Sequence, residues 1–462
     1  MSPTDLRARD RAVVWHPATH FGDLEQNPPV PIASASGVWL KTPDGREILD
    51  AIGSWWTSIH GHGHPRIVAA VREQVGRLDH VMFAGFTHEP AVALAEALIA
   101  AAPRDDVREP SYAKVFYSDC GSASIEVALK LSYQRRVLCG QTDGRSGKRR
   151  FAALRNSYHG ETLGALAVCG SPAWREPFGS LLHDALYLPA PSQADHAHAD
   201  LASEHPEHRP ELGADSPEAD AAVAALEAHA DELSALIVEP IIQCAGRMVM
   251  PGAGFYRRLA ETCRACDIHL IADEIAVGFG RTGKLIASEW SGVVPDLMCL
   301  SKGLSGGVLP LAATLIRNGF EAPFHGSPSN TFAHSHTFTG NPVTCAAGLA
   351  SLAVFAEERT LEGLPARIAH MERLRLQLTQ RHAAVIESRQ AGMVAALVVD
   401  RERGPADGRL GLALRRAAMD RGVLLRPLHD TIYWMPALNV GEAELERIAA
   451  VTSEVIDEVL GR

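Results

Sequence analysis

No uninterrupted apolar stretch of the chain is long enough to span a bilayer, and the first residues, Met1-Ser-Pro-Thr-Asp-Leu-Arg-Ala-Arg-Asp10, hold no apolar signal core. These absences predict a soluble protein in the cytoplasm. A basic excess is missing too. The formal net charge is −11, which argues against nucleic-acid binding as a main function. Internal repeats are absent, and the eight cysteines form no framework. Cys120, Cys169, Cys244, Cys299 and Cys345 sit in apolar surroundings and read as small core residues. Cys263 and Cys266 have C-x-x-C spacing, but they fall in a helical pattern with Phe255 and Leu259, and no second pair completes a metal or redox set. The alternation His60-Gly-His62-Gly-His64-Pro65 reads as a turn, with no acid nearby in sequence to complete a ligand set. No resident metal is expected.

What the chain does have is length and apolar content: 462 residues, 46% hydrophobic and 21% charged. That suffices for two sizeable cores. Residues 1–85 carry short strands such as Gly37–Lys41 beside the turn Pro43-Asp44-Gly45. Residues 86–345 alternate helical and strand patterns, as a mostly parallel α/β sheet requires. Residues 346–462 return to helices and short strands and end in an amphipathic helix bearing Leu445, Ile448, Val455, Ile456 and Val459. The two ends are expected to form one smaller α+β domain beside a large one. Residues 190–218 are rich in Ala, His, Asp, Glu, Ser and Pro and read as a mobile surface insertion. Its histidines, His196, His198, His205 and His208, with His183 just before, are expected to face solvent.

Three strand-like runs carry the chemistry. His269-Leu-Ile-Ala272 leads into Asp273, and a carboxylate at the end of a buried strand is costly unless a cation or strong donor meets it. The protonated ring nitrogen of pyridoxal phosphate is such a cation. Leu297-Met-Cys-Leu300 leads into Ser301-Lys302 and a glycine-rich loop, a setting in which a lysine amine forms a Schiff base with a carbonyl cofactor. Ala235-Leu-Ile-Val238 leads into Glu239. A fourth run, Ala113–Tyr117, is followed by a turn, Ser118–Ser124, and a helix starting near Ile125. There Gly121 permits close approach, and Ser122 with free N–H groups would receive a phosphate. Plain alternatives exist for each: a solvated loop lysine, a helix-capping aspartate, an ordinary N-cap turn. Open α/β sheets gather ligand sites along the carboxyl edge of their strands, and Glu, Asp and Lys delivered there together favour a site.

Ile271–Gly283, Lys302, Gly121-Ser122 and Thr337 resemble the class III, fold type I, pyridoxal-phosphate aminotransferases, over nearly the whole chain from about residue 13. Trp15-His16-Pro17, Ser54-Trp55-Trp56, His80–Phe83, Asn156–Thr162, Arg426-Pro427 and Tyr433–Pro436 are similar to those members that transfer an amino group from S-adenosylmethionine to 8-amino-7-oxononanoate in biotin synthesis. The resemblance implies a homodimer with shared sites. It makes Lys302 the Schiff-base lysine and proton shuttle, and Asp273 the partner of the pyridine nitrogen. Ile275 and Tyr158 would pack on the two ring faces. Gly121 and Ser122 would hold the phosphate, with Thr337 reaching it from the other subunit. Trp55, Trp56 and Tyr158 would line the substrate site, Arg281 would shape it, and Arg426 would take the substrate carboxylate with Tyr433 nearby. Tyr158 has a core-packing alternative and Arg426 an internal salt bridge. Trp55 and Trp56 cannot both face one side of a strand. One departure stands out: many members carry tyrosine where this chain has Ala18, which leaves the donor open. An ω-amino-acid, lysine or diamine transaminase, or a decarboxylase of the same fold, remains the alternative.

Overall fold

The computed structural model describes residues 3–106, 108–191 and 213–461. Most of the insertion expected at 190–218, with His196, His198, His205 and His208, lies outside the described residues. Within its described end, Ser216 accepts a hydrogen bond from the Ala219 N–H at 3.1 Å and caps the helix Pro217–Ala228, so residues 216–218 already belong to a helix start rather than to a mobile insertion.

A seven-stranded sheet forms the centre. Its order is Tyr112–Ser118, Ala312–Arg317, Leu297–Leu300, His269–Asp273, Leu233–Val238, Arg150–Leu154, Ala185–Leu188. Only Ala312–Arg317 runs against its neighbours; the other strands are mutually parallel. Parallel strands are covered on both faces, and these read accordingly as continuous apolar runs. Leu233–Val238 is buried at every position. Ala235 and Ile237 pack with Ile125 and Leu129 of the helix Gly121–Leu138, while Leu236 and Val238 pack with Leu226, Phe255 and Leu259 of helices on the opposite face. This alternation is the period of a strand, made visible by a helix layer on each side.

The two ends of the chain meet in smaller sheets. Ser34–Ser36, Trp39–Lys41 and Glu47–Asp50 form an antiparallel set, and Val423–Leu424 joins it in parallel, pairing Val423 with Leu49 and Leu424 with Asp50. A second antiparallel sheet holds Val385–Ala391, Val394–Val399 and Thr431–Trp434. The closing helix Glu442–Leu460 buries Leu445, Ile448, Val455 and Ile456, as its periodicity predicts. The pairing of Val423 with Leu49 has a consequence for function. It sets the chain just past Leu424 beside the segment that follows Asp50, so Arg426 meets Trp55.

Two local expectations change. Gly121–Ser124 are already the first turn of the helix Gly121–Leu138, not a turn before it. The segment Gly53–Trp56 is a short helical turn rather than a strand, with left-handed backbone at Ser54, Trp55 and Trp56.

Trp434 tests how firmly the closing helix is held. It is 1% exposed, and its indole Nε1 donates to Thr452 Oγ1 at 3.1 Å. Trp434→Ala is expected to cost about 3–5 kcal/mol, read as a lower urea midpoint.

Candidate active site

The carboxyl edge of the central sheet opens onto a cavity of about 210 Å³, lined among others by Trp56, Gly121, Ser122, Tyr158, His159, Glu239, Asp273, Ile275 and Lys302. Four strand ends deliver these groups. Glu239 follows Val238, Asp273 ends its own strand, Lys302 follows Leu300, and the helix starting at Gly121 follows Ser118.

Lys302 has a left-handed backbone, φ 44°, at the head of a tight turn that Gly306 closes in the left-handed region. A Cβ on Gly307, φ 81°, would lie 2.6 Å from the Thr57 carbonyl oxygen, so only glycine lets this loop pack against the chain after Trp56. The lysine amine lies 5.0 Å from the Trp56 ring centroid. Burial lowers its pKa, and Asp273, Cys244 and Glu239 act in the opposite direction. The outcome is an amine that loses its proton more readily than a surface lysine, which is what a nucleophile and proton carrier requires.

Asp273 is buried, and both its oxygens are held. Oδ2 meets His159 Nδ1 at 2.7 Å, and Oδ1 accepts from the Ile275 N–H at 3.1 Å. His159 is itself buried, and its Nε2 has no hydrogen-bond partner among the described residues. Glu239 accepts from the backbone N–H of Tyr158 at 3.1 Å and of Cys244 at 3.0 Å, tying two loops to the strand edge. Burial, then the neighbouring Asp273, pushes its pKa up to about 8. The Tyr158 hydroxyl donates to Glu161 at 2.9 Å, and its pKa is raised by burial and by that acid, so it stays a phenol at neutral pH.

The helix Gly121–Leu138 presents its first N–H groups at the cavity. Ser122 Oγ accepts from the Glu161 N–H at 3.3 Å. A Cβ on Gly160 would fall 2.0 Å from that oxygen, which explains the glycine after Tyr158-His159.

The remaining predicted residues divide. Trp56 is 4% exposed, lines the cavity and donates from Nε1 to the Tyr433 hydroxyl at 3.1 Å; Trp55 is 42% exposed, and the Arg426 guanidinium lies 4.2 Å from its ring centroid. Arg426 lines a neighbouring cavity of about 430 Å³ together with Ala18. Tyr433 is buried behind Trp56 and does not line the inner cavity. Thr337 is exposed and lines no part of its own chain's Lys302 cavity. Arg281 lines neither cavity. It is buried, donates to the backbone carbonyls of Trp56, Ser58, Met435 and Pro436, and has its pKa lowered to about 10 by burial. It clips the two chain ends beneath the substrate side. The histidine turn also gains partners that sequence distance hides: His62 Nε2 meets Asp50 at 3.0 Å and His64 Nε2 meets Glu358 at 2.8 Å.

Two groups escaped assignment from sequence. His159 was visible only as part of the Tyr158-His159-Gly160 string, because its partner Asp273 is brought up by the fold. Glu239 was recognisable as a strand-end acid, but its backbone partners are not encoded locally.

A β-strand edge that collects a lysine, an aspartate and a helix N-terminus in one cavity defines a class of enzyme, and the sequence agrees: the profile of the Aminotransferase class-III family matches residues 21–456, and the chain belongs to that family. It is 40% identical to the adenosylmethionine-8-amino-7-oxononanoate aminotransferase of Nitratidesulfovibrio vulgaris, over 96% of this chain and 80% of the relative. It is 37% identical to the enzyme of that name from Geobacter sulfurreducens, over 99% and 98%. Among solved structures it is similar to the adenosylmethionine-8-amino-7-oxononanoate aminotransferase of Methanocaldococcus jannaschii, with TM-score 0.88, 28% identity, and 99% of this chain and 100% of that one covered. The omega transaminase of Pseudomonas jessenii in complex with PMP gives TM-score 0.85, 27% identity and 98% coverage of each chain. The protein is a pyridoxal-phosphate-dependent aminotransferase of fold type I. The residues present fit that cofactor: a buried carboxylate for the ring nitrogen, free helix N–H groups and a serine for the phosphate, and a buried lysine amine for the aldehyde.

Two predictions follow from the inner shell. His159→Gln removes the imidazole from Asp273, and a hydrogen bond to a charged group contributes about 1.5–3 kcal/mol. Cofactor retention on dialysis should fall by roughly ten- to a hundredfold, with the far-ultraviolet spectrum unchanged. Glu239 ionises near 4.5 when unfolded and near 8 when folded. Between those values the unfolded chain sheds this proton and the folded chain keeps it, so its contribution to stability falls with rising pH and is level above the folded pKa. In urea unfolding of the cofactor-free protein from about pH 5 to about pH 8, Glu239→Gln should flatten that decline.

Proposed function

We propose that the protein transfers an amino group from S-adenosylmethionine to 8-amino-7-oxononanoate, giving 7,8-diaminononanoate in biotin synthesis, in the cytoplasm and as a homodimer. The observation that carries the chemistry is the meeting of Lys302 and Asp273 in one cavity beside the Gly121 helix start. The choice of substrates is supported by the shared name of relatives at 35–40% identity that align with 96–99% of this chain.

Pyridoxal phosphate, when bound, supplies an aldehyde that condenses with amines and a ring that takes up electrons from the substrate carbon. The protein does the rest. Lys302 Nζ would take up the proton from the donor's α-carbon and, in the second half-reaction, deliver one to the acceptor's carbonyl carbon. Asp273, fixed by His159 and the Ile275 N–H, keeps a positive charge on the ring nitrogen favourable. Ile275 and Tyr158 line the cavity where the ring's two faces would pack, and Gly121 and Ser122, in the same lining, would hold the phosphate. Trp56 and Tyr158 wall the substrate side, Tyr433 backs Trp56 through its hydroxyl, Trp55 lies outward beside Arg426, and Arg426 takes the acceptor's carboxylate. Arg281 supports this wall from below through Trp56 and Ser58.

The dimer reading is supported by an exposed apolar patch. Met82, Phe86 and Phe338 are each more than half exposed, on segments joined by the His80–Phe338 ring contact and the Asn341 bond to Asp79. Thr337, next to Phe338, would reach the partner's phosphate from this face. One observation keeps a second donor class in view: Ala18 opens the outer cavity beside Arg426, and omega transaminases are among the similar structures. An ω-amino-acid, lysine or diamine donor would then replace S-adenosylmethionine.

The test is a spectral titration of the yellow holoenzyme. S-adenosylmethionine should bleach the visible band and 8-amino-7-oxononanoate should restore it, in ping-pong fashion. Bleaching by lysine or a diamine but not by S-adenosylmethionine would overturn the donor, and carbon dioxide release would mark a decarboxylase. Lys302→Ala should hold the cofactor yet lose turnover by at least about a thousandfold.

A further inference from the structure

The outer cavity is built with more positive charge than one carboxylate contact requires. Arg415 projects from the helix Leu410–Asp420, and Arg426 follows the strand Val423–Leu424 after the left-handed turn at Gly422. The reversal brings both guanidinium groups to one cavity of about 430 Å³. Arg409 in the same wall is matched by Asp23. Arg415 and Arg426 are not matched: among the described residues neither has an acid within ion-pair distance, and Arg426 makes only its ring contact with Trp55. Both are half-buried. Burial, then repulsion from Arg426, lowers the pKa of Arg415. Two like charges held close without a counter-ion are unfavourable, and an anion between them reverses the sign of that interaction. A carboxylate has two oxygens with about four lone-pair directions, enough for two guanidinium groups at once.

We infer that Arg415 is a second guanidinium, beside Arg426, in the seat that receives the carboxylate of the keto-acid acceptor. This rests on the acceptor proposed above. Arg426, stacked on Trp55, marks the inner end of the seat, next to the tryptophan that walls the Lys302 cavity. Arg415 adds the second charge that separates an ω-carboxylate substrate from an uncharged one of equal length.

Two measurements decide it. In steady state with 8-amino-7-oxononanoate, Arg415→Gln should raise KM at least about tenfold and lower kcat by less, while Arg415→Lys restores most of the affinity. Independently of turnover, nonanoate binding to the holoenzyme, read by calorimetry, should weaken about tenfold in Arg415→Gln, while methyl nonanoate binds both proteins alike. Unchanged nonanoate affinity in Arg415→Gln, equal losses for acid and ester, or no binding of nonanoate to the parent protein would each overturn the inference. Failure of the parent protein to turn over 8-amino-7-oxononanoate, with nonanoate binding still dependent on Arg415, would remove the acceptor assignment and leave the arginine pair supported.

Discussion

A carboxylate at the end of a buried strand has to be satisfied, and at Asp273 that requirement organises everything around it. His159 and the Ile275 N–H hold its two oxygens, and each partner lies in a segment that also lines the cavity. Glu239 stands nearby and would add a second negative charge, but burial and Asp273 keep it protonated up to about pH 8. The inner cavity therefore gains no charge from Glu239 at neutral pH, and it holds a lysine whose proton is loosely held. A single negative group opposite a ring nitrogen favours charge on the ring. A second would anchor the lysine's proton and slow its transfer.

The substrate side depends on backbone that would not hold by itself. Ser54, Trp55 and Trp56 all have positive φ, and for non-glycine residues each such conformation costs on the order of 1 kcal/mol or more. The surroundings over-determine the turn. Asp50 accepts from Ser54 Oγ at 2.7 Å, Trp56 donates to Tyr433, and Arg281 grips the carbonyls of Trp56 and Ser58. Arg281 also binds the carbonyls of Met435 and Pro436, so one buried cation joins the two chain ends at the substrate wall. The strained turn and the joining of the ends are parts of one construction.

The sequence exposed those parts of the site that are local. Each strand that ends in Glu239, Asp273 or Lys302 is a continuous apolar run, and a polar residue at its end stands out without knowledge of any neighbour. The glycine at 121 was legible for the same reason. Trp55-Trp56 was not, because alternation in a strand was the wrong frame for a turn with left-handed residues. Arg281 lies inside a recognisable motif, yet its partners are carbonyls of residues far along the chain, and carbonyls carry no sequence signature. His159 and Arg415 fail for a related reason. Their meaning comes from Asp273 and Arg426, which only the fold brings near.

Under the proposed function, the two cavities would select opposite ends of the acceptor. The inner one holds acids and a lysine ready to exchange a proton; the outer one holds Arg415 and Arg426, which have no acid within ion-pair distance among the described residues. Trp56 belongs to the first, and Trp55, its neighbour in sequence, carries the stacked Arg426 of the second. An acceptor with a carbonyl near one end and a carboxylate at the other would thereby be oriented before chemistry begins. Reversal would place a carboxylate against Asp273 and leave the arginines unmatched, and both changes are unfavourable. Ala18 modifies only the outer cavity. Its consequences therefore fall on which molecules reach the inner site and how tightly their far ends are held, while proton transfer at Lys302 is set by the strand edge alone.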